Sequence, residues 1–135
     1  MKSLILDYYA AFNSGDREAL LAMLDDAVIH EINEGSVETG KDAFRGFLHR
    51  MDQSYKETVE DLVVFTSDDA NRAAAEFYIR GEYLATDDGL PPARGQTYHL
   101  RVGAFFEGRD GKITRVTNYY NLHAWLGMVD DAADS

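Results

Sequence analysis

A chain of 135 residues with 45% hydrophobic content can bury one sizeable core, yet holds no stretch of the ~20 apolar residues that span a bilayer. The absence of cysteine excludes disulfides, thiolate metal sites and cysteine nucleophiles, and fits a cytoplasmic location. A net charge of −11 argues against a nucleic-acid or anionic-membrane partner.

The chain reads as helices first and strands afterwards. Leu4, Ile5, Tyr8, Tyr9 and Phe12 recur at helical spacing, and Gly15 supplies a left-handed end. The opening run Leu4-Ile5-Leu6 is cut off by Asp7, too short for a signal peptide. Asp16 caps a second helix with Leu20, Leu21, Met23 and Leu24 as its apolar stripe. Val28 to Asn33 has strand character. Thr39 and Asp42 form a capping box for a third helix, which buries Phe44, Phe47, Leu48 and Met51. From residue 56 the period changes to two. Strands are predicted near 56–66, 72–86, 96–107 and 112–121, with turns at Ser67–Asn71 and Gly108–Gly111. Asn121 caps a last helix carrying Leu122, Trp125, Leu126 and Val129. This order predicts one α+β domain over 1–135, helices packed on a curved antiparallel sheet, with 130–135 a flexible acidic tail.

Candidate chemistry sits on three strands. In the first, Ile29, Glu31 and Asn33 share one side and Val28, His30 and Ile32 the other. An ionisable residue in so apolar a strand is costly to bury unless paired, so Glu31 is a candidate acid–base group with a raised pKa. An edge strand with a wet side accounts for the same residues. On 72–86, Glu76, Tyr78, Arg80 and Glu82 share a face opposite Ala75, Phe77, Ile79 and Tyr83, and Arg80 and Glu82 are spaced to pair. A solvated ion-pair face is the alternative. On the last strand Asn118 and Tyr120 share a face, and Tyr8 of the first helix could donate to an oxyanion. His30, His49, His99 and His123 lack paired-ligand spacing, so no metal is expected, and no phosphate loop or dinucleotide fingerprint occurs.

Tyr8 to Asp16, the strand after Asp25-Asp26, and the ending Asp110 to Asn121 resemble the nuclear transport factor 2-like superfamily, more narrowly its SnoaL-like, ketosteroid-isomerase-related members. The resemblance spans about residues 2–129. It implies a cone-shaped α+β fold around a deep apolar cavity, and a homodimer joined through the sheet; with Arg80 and Glu82 lining that cavity, the apolar face of Ala75, Phe77, Ile79 and Tyr83 is expected to meet the dimer partner. It places Tyr8 on ketosteroid isomerase's helix-one tyrosine and Glu31 on its carboxylate base, while Val102 stands where that enzyme has a protonated aspartate. Arg80-Gly81-Glu82 and Asn118 fall on the catalytic Arg-x-Asp and Asp of limonene epoxide hydrolase.

The expectation is a cofactor-free isomerase or cyclase moving protons on a small apolar, carbonyl-bearing or cyclic ligand. Glu31, Tyr8, Arg80, Glu82 and Asn118 would be its catalytic residues, with His30, Asn33, Tyr78 and Tyr120 contacting the ligand. A non-catalytic binder, a dimeric accessory module and an epoxide-hydrolase-like activity are the alternatives.

Overall fold

The first helix, α1 (Lys2–Ser14), turns Ile5, Tyr8, Tyr9 and Ala11 inward and stops at Gly15, whose φ of 78° is a left-handed terminus. Asp16 Oδ1 accepts the Ala19 N–H at 3.0 Å and starts α2 (Arg17–Ala22). That helix is shorter than its apolar stripe suggests. Leu24 belongs to β1 (Leu24–Glu31), where it pairs with Ile113, so a sheet contact overrides the local helical period. The computed structural model describes residues 1–33 and 35–130; the expected acidic tail lies outside them beyond Asp130.

After β1 the chain doubles back into β2 (Val37–Thr39), a three-residue strand too short to show a period. Because Thr39 is held in that strand, the expected capping box does not form. Helix α3 (Lys41–Ser54) begins instead after Gly40, at φ 102°, without a side-chain cap. Four long strands follow: β3 (Tyr55–Thr66), β4 (Arg72–Tyr83), β5 (Thr97–Arg109) and β6 (Lys112–Tyr120). Asp110 and Gly111, both left-handed, make the two-residue turn between β5 and β6. Asn121 Oδ1 accepts the Ala124 N–H at 3.0 Å and starts α4 (Leu122–Val129).

The six strands are ordered β2-β1-β6-β5-β4-β3, with every neighbouring pair antiparallel except β1–β6. Helices α1 and α3 cover the inner face. On β4 the inner face is the apolar one: Ala73, Ala75, Phe77, Ile79 and Tyr83 are buried. This reverses the expectation that Ala75, Phe77, Ile79 and Tyr83 face a dimer partner. The physical reason is that the helices lie over this side, and burying these side chains there is worth roughly 2 kcal/mol for each large one.

The edge strand β3 carries a bulge between Glu60 and Val63, with Asp61 at a φ of 55°. One extra residue flips the alternation along the strand. Glu57 and Val59 point inward before it, Val64 points inward after it, and Val63 and Phe65 are left outside. Asn13 of α1 grips the same edge, donating to Val59 O at 3.0 Å and accepting the Val59 N–H at 2.8 Å. Its amide stands in for a neighbouring strand.

Candidate functional site

The concave sheet and its two covering helices enclose a cavity of about 160 Å³. Tyr8, Tyr9 and Phe12 of α1 and Phe44, Phe47, Leu48 and Met51 of α3 form its roof. Val59, Phe77, Ile79, Leu100 and Val102 form its floor. This lining is apolar because the inward positions of β4 and β5 and the stripe of α3 are apolar. The polar exceptions are few enough to name: Arg17, His30, Asn33, Asp52, Tyr55, Glu57, Asn118 and Tyr120.

His30 projects from β1 and is 2% exposed. Its ring stacks on Phe44 with centroids 4.4 Å apart and meets the edge of Phe47 at 4.6 Å. Burial pushes its pKa down to about 4, so the imidazole is neutral at pH 7. Among the described residues its buried Nδ1 has no hydrogen-bond partner. Asn33, just past the end of β1, accepts the Tyr120 N–H through Oδ1 at 3.0 Å, while its buried Nδ2 has no partner among the described residues. Unsatisfied buried nitrogens are uncommon, and two in one apolar cavity point to a ligand's polar atoms. Tyr8 packs edge-on against Tyr9 and Phe106, and burial raises its phenol pKa.

A second polar group lies at the other edge of the sheet. Glu57 of β3 accepts the Tyr98 hydroxyl through Oε2. Burial raises its pKa, against the lowering effects of the Tyr98 hydrogen bond and the Arg17 charge. Arg17 is itself held by Asp52 of α3 through two hydrogen bonds, Nε to Oδ2 at 3.0 Å and Nη2 to Oδ1 at 2.5 Å.

The structure thus brings Tyr8, His30, Asn33, Asn118 and Tyr120 to one cavity and puts four other expected residues elsewhere. Glu31 lies on the outer face. Its Oε1 accepts hydrogen bonds from Arg115 Nη1 at 2.8 Å and Thr117 Oγ1 at 2.7 Å. The Thr117 and Arg115 hydrogen bonds favour the carboxylate and hold its pKa below the usual range, the opposite of the expected rise. Arg80 is exposed and pairs with Glu60, Nε to Oε1 at 3.1 Å, not with Glu82. Tyr78 stacks on His99 outside, 4.6 Å between centroids, and Glu82 also lies outside the cavity lining. Glu57 went unnoticed in the sequence, although Tyr55 and Val59 two positions either side place it on an inward face. Among the described residues no group of three or more His, Asp or Glu could hold a metal ion, and no helix is long and apolar enough to cross a membrane.

Residues 5–116 match the SnoaL-like domain. The chain belongs to the SnoaL-like family. Among solved structures it is 53% identical to a proposed polyketide cyclase of Pseudomonas putida, covering 93% of this chain and 95% of that one with a TM-score of 0.92. It is 51% identical to a proposed polyketide cyclase of Xanthomonas campestris, covering 96% of each chain with a TM-score of 0.93. An epoxide hydrolase of the limonene type from Mycobacterium tuberculosis shares the fold at 18% identity, covering 93% of this chain and 82% of that one, with a TM-score of 0.73. A search of curated proteins finds no match. These SnoaL-like and nuclear transport factor 2-like relatives share the helices-on-curved-sheet architecture seen here.

Proposed function

We propose that this SnoaL-like chain is an isomerase or cyclase that moves protons on a small apolar, carbonyl-bearing molecule held in the cavity, with His30 as the proton carrier. The observation that carries this reading is His30 itself: a neutral imidazole with an unpartnered nitrogen inside an apolar cavity. The proposed cyclase activities of the Pseudomonas and Xanthomonas relatives are of the same reaction class.

In the forward step His30 takes the proton from a carbon next to a carbonyl. The C–H pair moves into a C=C bond and the carbonyl π pair moves onto oxygen. Asn33 Nδ2, Asn118 and the Tyr8 hydroxyl are the donors available to that oxygen. For isomerisation, the imidazolium returns the proton to another carbon of the same enolate. For cyclisation, the enolate carbon attacks a second carbonyl of the same molecule and the imidazolium protonates the new alkoxide. Either sequence balances without a co-reactant and regenerates neutral His30.

Two magnitudes narrow the substrate. An imidazolium of pKa about 4 marks a base as weak as a carboxylate, and each unit of mismatch with the carbon acid costs about 1.4 kcal/mol. A carbon flanked by two carbonyls suits this base better than one beside a single ketone. Cavities of about 150 Å³ hold a benzene ring, so the 160 Å³ here suits one six-membered ring with short substituents. The alternative of epoxide hydrolysis keeps only Asn118 of its three matched residues, because Arg80 and Glu82 lie outside the cavity lining.

Deuterium incorporation from solvent into the C–H between the carbonyls of a small 3-oxo ester tests this. Wild type should accelerate incorporation, and His30→Gln should lower the acceleration by roughly 10²-fold or more while the ester still binds. Equal rates in the two proteins would leave a non-catalytic binder as the reading.

A further inference from the structure

The cavity has a second polar end that proton transfer at His30 does not use. Glu57 reaches it from β3, and its seat is built by three elements. Tyr98 of β5 donates its hydroxyl to Oε2. The Tyr98 ring lies directly over Gly81 of β4, where a Cβ would come within 2.2 Å of Tyr98 Cζ, so that position has to be glycine for the ring to sit there. Arg17, the nearby cation, is engaged bidentately by Asp52. The remaining oxygen, Oε1, has no hydrogen-bond partner among the described residues. Glu57 is half-buried and lines the cavity, so Oε1 is an acceptor open to a ligand's polar atom.

Separation decides what Glu57 can do. Phe44 and Phe47 of α3 mark the His30 end of the cavity, and Asp52, holding Arg17, marks the Glu57 end. His30 stands on β1 and Glu57 on β3, with β6, β5 and β4 between them in the sheet. His30 and Glu57 therefore enter the one cavity from opposite sides of the sheet, placed for the two ends of one ligand rather than for a single carbonyl.

Resting on the reading above, we propose that Glu57 determines specificity by hydrogen-bonding a hydroxyl at the end of the substrate opposite its reacting carbonyl. The substrate class is then a six-membered ring carrying a carbonyl substituent at one end and a hydroxyl at the other. A hydroxyl pairs with Glu57 in either protonation state, donating to a carboxylate or accepting from an acid. An anionic group there would instead face the Glu57 carboxyl.

Binding of three probes to the full chain at pH 7, followed by NMR titration, tests this: acetophenone, 4-hydroxyacetophenone and 4-acetylbenzoate. Wild type should prefer 4-hydroxyacetophenone to acetophenone by on the order of tenfold, the value of one hydrogen bond to a charged or buried partner. 4-Acetylbenzoate should bind weakest. Glu57→Leu should erase the preference while retaining acetophenone, and Glu57→Gln should keep part of it. Equal binding of acetophenone and 4-hydroxyacetophenone to wild type overturns the role of Glu57 and leaves the cavity reading standing. Tightest binding of 4-acetylbenzoate also overturns it, and makes Arg17 the recognition group. If wild type binds none of the three, the cavity reading falls and this inference falls with it. The wild-type ranking decides even if Glu57→Leu fails to fold.

Discussion

His30 exchanges water for two phenylalanine rings on folding, and that exchange appears in its proton affinity. Its pKa drops from 6.5 to about 4, so between these values the unfolded chain binds more protons than the native one. Stability is full above pH 6.5 and falls as the pH drops toward 4, by up to about 3 kcal/mol at 1.4 kcal/mol per unit. Urea denaturation across this range should show that slope in wild type and lose most of it in His30→Phe; identical slopes would mean that His30 is not buried neutral. Glu31 behaves in the opposite environment. Carboxyl titration by NMR should place it below the ordinary glutamate range, and Glu31→Gln should leave ligand binding unchanged. A raised value would put it back among the candidate acid–base groups.

At the scale of single elements, the edge strand β3 is where the cavity wall is shaped. The bulge at Asp61 bends it, and Asn13 fastens the bent strand to α1 through both polar atoms of its amide. Asn13→Ala leaves a backbone donor and acceptor of Val59 without that partner, and should cost about 2 kcal/mol in chemical denaturation. A change under about 0.5 kcal/mol would mean that water replaces the amide without penalty. The outer face of β4 predicts the contrary. Arg80 meets Glu60 in solvent, so Glu82→Ala should shift stability by no more than about 1 kcal/mol, where a buried Arg80–Glu82 pair would give about 3.

Across the whole molecule, the convex face of the sheet carries what the concave face does not need. Phe65, Ala74, Phe105 and Thr117 stand in register over four strands, and Tyr119 packs on Phe105 at 5.8 Å. Phe65, Phe105 and Tyr119 are each more than half exposed, at 58%, 51% and 57%. Ion pairs of Arg115 with Glu31 and Glu107 flank them. We expect the homodimer to form through this face, each subunit offering the same patch to the other. Light scattering should give twice the chain mass for wild type at micromolar concentration and the monomer mass for Phe105→Glu. Monomeric wild type would count against it.

By itself the sequence determined the order of the helices and long strands, the caps at Asp16 and Asn121, the left-handed end at Gly15 and a turn within Gly108–Gly111, because each rests on contacts within a few residues. It also determined which side chains alternate together on a strand. What it left to the tertiary structure was which of two faces is the inside, and there a shift of one residue exchanges every side chain. On β1 that shift is the difference between Glu31 and His30. On β4 the polar face looked like a site only while the apolar one was assigned to a partner, and α1 and α3 settle the matter by lying over Phe77 and Ile79. On β3 the bulge changes the parity within the strand, so a period of two cannot place Glu57 and Val64 on one side. Side-chain direction in a sheet is decided by what covers it, and the covering helices come from other parts of the chain.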